Sequence, residues 1–321
     1  MGTRTGTYYT GTISGTAGSL ITALDAILVT GEGWTKLYTG TNKAVYQTAG
    51  GNGFVVRVVD DGSTSAGAAR EAMVRGGESA TDVDTLVDPF PSTALVSDAL
   101  CCWRKSDTAD STARSYWAVA DDRFMVMVVR FGTLGHDLYL FGDIEPVWSG
   151  DNYATVITVR NINNSAASGR ASVNTVPDFA SSSASGVWFA RRPSGLAKID
   201  RGAFLTTDTG LIGNTQTPTL SDYPHPETGK LHFRMLALRS NATTAVAPAD
   251  GATIRGCVPF MVEPILGTGV VGMVPYDTWT ATDYDSGSEF IIMSEASTTV
   301  LTDTNMARYV LQIAGTWNPG Y

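Results

Sequence analysis

The chain has 321 residues, of which 43% are hydrophobic and only 17% charged, with a formal net charge of −9 at pH 7. That length suits two domains or one large β body with extended loops, and the acidic balance excludes a broad basic surface for nucleic-acid phosphates. Small polar residues replace the missing charges, so wide surfaces can meet another protein without a large desolvation cost.

Residues 1–18, MGTRTGTYYTGTISGTAG, lack the apolar core of a signal peptide and read as an extended arm carrying the adjacent Tyr8 and Tyr9. Two roles fit it: a frayed terminus, or an arm that orders against a neighbouring subunit through its tyrosines. SLITALDAILV, residues 19–29, predicts the one convincing helix. Leu20, Leu24, Ile27 and Leu28 recur at helical spacing, Ser19 stands as N-cap and Gly31 as the stop. The helix is expected to cover the sheet that begins at Gly33.

Residues 33–61, GWTKLYTGTNKAVYQTAGGNGFVVRVVDD, contain three short strand-like runs joined by Gly- and Asn-rich turns, which predicts an antiparallel meander. Trp34, Tyr38, Tyr46 and Phe54 are its expected packing anchors. Residues 68–76 fit a short helix or a strand, and strand is favoured by the hairpin-like boundaries on either side. Three further runs, ALCCWRK, SYWAVA and RFMVMVVRF, predict successive strands, with Asp121-Asp122 as a tight hairpin turn. Met125 and Met127 share a face with Val129 and read as adaptable core. YATVITVR is another strand. Residues 161–185 shift to Asn, Ser, Ala and Gly, as a linker or a long loop, and a second β-rich region spans 186–321, packed with the first or separate. The expected fold is therefore all-β or β-rich, with antiparallel meanders forming a sandwich or barrel-like body around one short N-terminal helix and long loops.

Catalytic motifs are missing from the sequence: there is no HExxH, Walker loop, dinucleotide fingerprint or GxSxG elbow. Asp82, Asp84 and Asp88 mimic part of a calcium loop, but Val87 replaces its glycine and Thr93 its terminal acid, so turns and solvated carboxylates are expected. Asp60-Asp61 and Asp121-Asp122 are carboxylate pairs that strand-end turns explain. Asp283, Asp285 and Glu289 near Trp279 and Tyr284 suit a sugar shelf or, preferably, a capped loop. Arg191-Arg192 reads as the solvated end of a strand rather than a phosphate clamp. His136, His225 and His232 are widely separated, and Cys101, Cys102 and Cys257 lack metal spacing and read as buried thiols. No run approaches the length of a membrane span, and no cofactor is implied.

The ordered blocks GWTKLYTGTNKAVYQ, FVVRVVDDG, AREAMVRGGES, TDVDTLVDPFP, WRKSDTADSTARSYWAVADDRFMVMVV and DLYLFGDIEPVWSGDNYATVI resemble a group of virion structural proteins from tailed bacteriophages. The resemblance spans about Gly33 to Ile157. Trp34, Thr41-Asn42-Lys43, Arg57, Asp82-Val83-Asp84, Lys105-Ser106 and Phe141-Gly142-Asp143 lie at family-like positions, none of them catalytic. It implies a noncatalytic virion component of the tail or baseplate, made in the host cytoplasm, whose partners are copies of itself and other virion proteins. Other readings are a capsid decoration or head-tail joining protein, a host-glycan-binding module, and a cell-wall hydrolase. The expected interface residues are Tyr8, Tyr9, Trp34, Lys36, Asn42, Lys43, Arg57, Trp317 and Tyr321.

Overall fold

The computed structural model describes residues 3–63, 70–94, 98, 101–132, 136–160, 186–193, 195, 199–205, 232–240, 254–265, 276, 278–280, 287–293 and 310–318. Over these the fold is all-β with antiparallel pairing and one short helix. Strand β1 (Thr7–Ile13) leads into α1 (Ser19–Leu24), which continues as a π-helical segment, Asp25–Gly31. A meander follows: β2 (Thr35–Gly40), β3 (Lys43–Gln47), β4 (Val55–Val59) and β5 (Glu71–Gly77). The short strands β6 (Ser79–Ala80) and β7 (Leu86–Val87) make a separate ribbon. The middle of the chain supplies β8 (Cys102–Arg104), β9 (Arg114–Ala120), β10 (Phe124–Arg130), β11 (His136–Asp143), β12 (Glu145–Pro146), β13 (Thr155–Arg160) and β14 (Gly186–Arg191). The last strands are β15 (Ile199–Leu205), β16 (His232–Ser240), β17 (Ile254–Ile265), β18 (Thr278–Thr280), β19 (Glu289–Ile292) and β20 (Val310–Ala314).

One ladder runs β1, β9, β10, β11, β13, β14, β15, β16, β17, β20, β19, β18. Its first strand returns to the far end of the chain through a bridge between Arg4 and Trp317, just beyond β20, and the sheet closes as a barrel. The meander β2-β3-β4-β5 joins through β8, which meets β13 at the pair Arg160 and Cys102.

The strands shared by barrel and meander are buried on both faces. Alternate side chains of one strand point to opposite sides: Met125, Met127 and Val129 enter a core with α1 and the meander, while Phe124, Val126 and Val128 enter a second core with β16, β17 and β20. Residues 124–129, FMVMVV, are apolar without interruption for this reason, since both faces of this part of β10 are buried. Tyr139 and Phe141 face the first core and Leu138 and Leu140 the second. Described strands from before and after residues 161–185 meet in the second core.

The meander, its packing anchors Trp34, Tyr46 and Phe54, and the strand at residues 71–77 match expectation. Three local readings are corrected. Residues 7–13 are not a free arm but a strand of the chain's own barrel, in register with β9 from Thr7 opposite Ala120 to Ile13 opposite Arg114. The helix cap is Gly18, at φ 80, and Ser19 instead donates its hydroxyl to the Ser14 carbonyl at 2.7 Å. Arg191 and Arg192 are buried rather than solvated; Arg191 reaches Glu78 at 2.6 Å and Asp88 at 3.3 Å, partners brought by the β6–β7 ribbon. Residues 161–185 lie outside the described residues.

Candidate functional site

An ionic cluster sits at the barrel seam. Arg4 precedes β1, and its backbone exchanges hydrogen bonds with Trp317, at 2.9 Å in one direction and 2.7 Å in the other. The buried guanidinium donates Nε and Nη2 to the two oxygens of Asp121 at 2.7 and 2.6 Å, and Nη1 to the Asp143 carbonyl at 2.6 Å. Its plane is flanked by Phe124 and Phe260, 5.6 and 5.7 Å from the guanidinium carbon. A forked bidentate pair between aromatic faces is an arrangement that arginine makes and lysine does not.

Asp121 is placed by the hairpin turn between β9 and β10, where its Oδ1 accepts the amides of Arg123 and Phe124 at 2.9 and 2.8 Å. Glu145 lies 3.8 Å from Arg4 and 3.9 Å from Arg123. Asp143 accepts hydrogen bonds from the Asn52 amide, the Asn52 side chain and the Thr155 hydroxyl. Burial raises its carboxyl above the usual range, opposed by those bonds and by Arg4 and Arg123.

A second node holds the helix. Lys105 and Asp60 form an ion pair with both side chains fully buried, and Lys105 Nζ also donates to the Thr16 carbonyl at 2.7 Å and Ser19 Oγ at 3.2 Å. Asp60 Oδ2 accepts the Leu20 amide at 2.9 Å, so a carboxylate from the end of β4 supplies the capping acceptor that Ser19 does not. Burial pushes Asp60 up to about 6 against the lowering effect of Lys105, and burial lowers Lys105.

The other described surface feature is apolar. Val147 and Trp148 are 54% and 49% exposed on the turn that follows β12. That turn is tied down: Val147 N donates to the Arg255 carbonyl at 3.0 Å, Asp151 N to the Trp148 carbonyl at 3.1 Å, and Arg255 grips Asp151 with Nε and Nη2 at 2.9 and 3.1 Å. Leu37 and Val87 are the other large exposed apolar residues described.

The residues expected at an interface are scattered. Trp34 is 2% exposed in the first core, its indole bonded to the Asp121 carbonyl at 2.8 Å, and Trp317 is fully buried in the second core, so both serve internal packing. Tyr8 packs on the second core and Tyr9 on the first, where its hydroxyl meets Glu32; burial and then Glu32 push the Tyr9 phenol up to about 12. Lys36 pairs with Asp25 at 2.8 Å. Asn42, at φ 55, turns the chain between β2 and β3. Lys43 pairs with Asp84 at 2.9 Å, and Arg57 with Asp98 at 3.1 Å. Tyr321 lies outside the described residues.

Asp82 forms an Asx-turn, its Oδ1 accepting the amides of Asp84 and Thr85 at 2.7 and 2.8 Å, while Asp84 turns to Lys43 and Asp88 to Arg191. The three carboxylates therefore point to separate partners, and among the described residues no group of three or more His, Cys, Asp or Glu could hold a metal ion. Glu289 is exposed at the end of β19, while Asp283, Tyr284 and Asp285 lie outside the described residues, as do His225 and the side chains of His136, His232 and Trp279. Cys101, Cys102 and Cys257 are buried and form no disulfide. No helix among the described residues is long and apolar enough to cross a membrane.

Sequence pattern found neither Arg4 nor Val147 and Trp148. Arg4 is one cation in a Gly- and Thr-rich segment, and its partner lies 117 positions away. Val147-Trp148 follows Pro146 in a run indistinguishable from a strand end. No family model matches the chain, and no curated protein matches it.

Proposed function

We propose that this chain is a noncatalytic structural component of a tailed-phage virion, in the tail or baseplate, present in several copies and assembling through protein–protein contacts. The observation that carries the assembly reading is the turn at Val147 and Trp148: two large apolar side chains held half in solvent on a loop fixed by a buried bidentate ion pair. An exposed tryptophan on a tied-down turn suits an interface anchor, because little conformational freedom is lost when a partner covers it. The virion assignment rests on the residue blocks from Gly33 to Ile157.

The fate of the candidate acids favours a structural role. Asp60 caps a helix and neutralises Lys105, while Asp121 closes a hairpin and receives Arg4. Asp60 and Asp121, two of the carboxylates that pattern offers for acid–base work, are thus used to join elements distant in sequence. A reconstruction of the intact particle, with density assigned to this chain at the tail or baseplate, is the expected result. Turnover of a cell-wall polysaccharide by the purified chain, lost on Asp121→Asn or Asp60→Asn, would overturn it.

A further inference from the structure

We propose that β1 is an exchangeable seam strand: residues 3–13 of one copy close the barrel of a second copy, seating Arg4 in that copy's Asp121 socket. The proposal rests on the reading that the chain assembles with copies of itself.

Three observations carry it. First, β1 is held along one edge by β9, and its other edge meets the rest of the barrel, among the described residues, through the bridge of Arg4 to Trp317. Within the strand only Ile13 is buried, whereas all but one residue of β10 are. Leaving the barrel withdraws Ile13, Tyr8 and Tyr9 from the two cores, so the open form needs a second arm to cover them, and the buried Arg4 is the anchor.

Second, every described contact of the arm lies beyond the connection at Ser14–Gly18. Arg4 meets Asp121, Asp143, Phe124, Phe260 and Trp317, Tyr9 meets Glu32, and the ladder is made by β9. A second copy offers the same groups in the same places, so exchange keeps the contacts and alters only the connection.

Third, the connection has the features of a hinge with one fixed end. Gly18 adopts φ 80, Gly15 passes close against the Thr108 carbonyl, and Ser14 and Thr16 are joined by a hydroxyl pair at 2.7 Å that opens without breaking a ladder. On the far side, the buried Lys105 grips the Thr16 carbonyl and Ser19 Oγ. The helix stays seated while the arm leaves. The Arg4 fork makes docking selective, because a misplaced arm strands a buried guanidinium without its carboxylate.

Thr12 and Ser115 stand directly opposite in the β1–β9 ladder and are both exposed, so cysteines there report which chain's arm lies on which β9. Thr12→Cys and Ser115→Cys chains, expressed separately, are mixed under reducing conditions, concentrated and oxidised. The expected product is a covalent heterodimer at twice the chain mass, absent from wild type, whose native cysteines are buried. Adding Arg4→Glu to the Thr12→Cys chain should abolish the heterodimer, and adding Asp121→Arg to its Ser115→Cys partner should restore it. No heterodimer in the mixture overturns the exchange. If wild type is multimeric by light scattering yet a Thr12→Cys/Ser115→Cys chain closes only at single-chain mass, exchange fails and assembly stands. A single-chain mass at every concentration overturns both.

Discussion

Lys105 and Asp60 lie at the ends of β8 and β4, and their side chains meet with no exposure to solvent. Around the pair stand Thr16, Ser19 and the amide of Leu20, while Tyr46 on β3 feels Asp60 and hydrogen-bonds Asp25 at 2.9 Å. A single ion pair thus holds the first helical turn against the sheet.

Lys105→Met should lower stability by about 3–5 kcal/mol at pH 8, because it leaves the Asp60 carboxylate buried without its cation. The loss should shrink at pH 5, where protonation of Asp60 removes the orphan charge. Urea midpoints at the two pH values check this, and an equal loss at both would contradict it.

The wild-type pH profile has a definite sign. Burial raises Asp60 from 3.8 to about 6, so the native state holds that proton more tightly than the unfolded chain. Its contribution is full below about pH 4 and is lost as pH rises through about 6, amounting to about 3 kcal/mol. Asp143 is raised by burial and acts in the same direction. Asp82 acts in the opposite one, since hydrogen bonds from Asp84 and Thr85 hold it down and its stabilisation fades in acid. Thermal melts should therefore show higher stability at pH 5 than at pH 7.5 and a fall below pH 4. Asp60→Asn should remove most of the slope between pH 4 and 7.

Arg4→Ala should cost about 3–5 kcal/mol, since it strands the buried Asp121 carboxylate at the seam while leaving the backbone bridge to Trp317 in place. Arg4→Lys should recover less than half of the loss, because one ammonium cannot reproduce the fork on Asp121 and the bond to the Asp143 carbonyl together. Guanidinium denaturation of the three proteins measures both values.

Two glycines should respond unequally to alanine. Gly142 has φ 131, and a Cβ there would meet the Arg123 carbonyl and Phe124 Cα across the β10–β11 ladder, so Gly142→Ala should cost more than about 3 kcal/mol. Gly33 has φ 71 with open space around it, so Gly33→Ala should cost about 1 kcal/mol. Urea midpoints for both variants test the contrast.

Trp148→Ser should leave stability within about 0.5 kcal/mol, because the side chain is half exposed and the turn is held by Asp151 and Arg255. On the proposed assembly role it should weaken self-association by about 30-fold, the effect of losing about 2 kcal/mol at an interface anchor. Sedimentation velocity across a dilution series reads the change.

The meander, the helix and the run RFMVMVVRF were legible because period and turn residues are local properties. The capping acceptor was not, since the Leu20 amide is bound by Asp60, forty positions further on. The burial of Trp34 and Trp317 within the chain was hidden for a related reason: a tryptophan looks the same in a sequence whether its indole meets a neighbouring chain or, as for Trp34, the carbonyl of Asp121. The paired aspartates were correctly read as turn residues, but their cations, Lys105 and Arg4, were found only in three dimensions.

By itself the sequence determined the all-β class and the meander after the helix, because alternation, apolar runs and Gly- and Asn-rich turns act over a few residues and survive without knowledge of their neighbours. Only the tertiary structure decided that residues 7–13 belong to the barrel, that Arg4 meets Trp317 across nearly the whole chain, and that Trp148 remains in solvent. Those outcomes depend on which distant surfaces meet. A hydrophobic pattern marks a face for burial without naming the face that covers it.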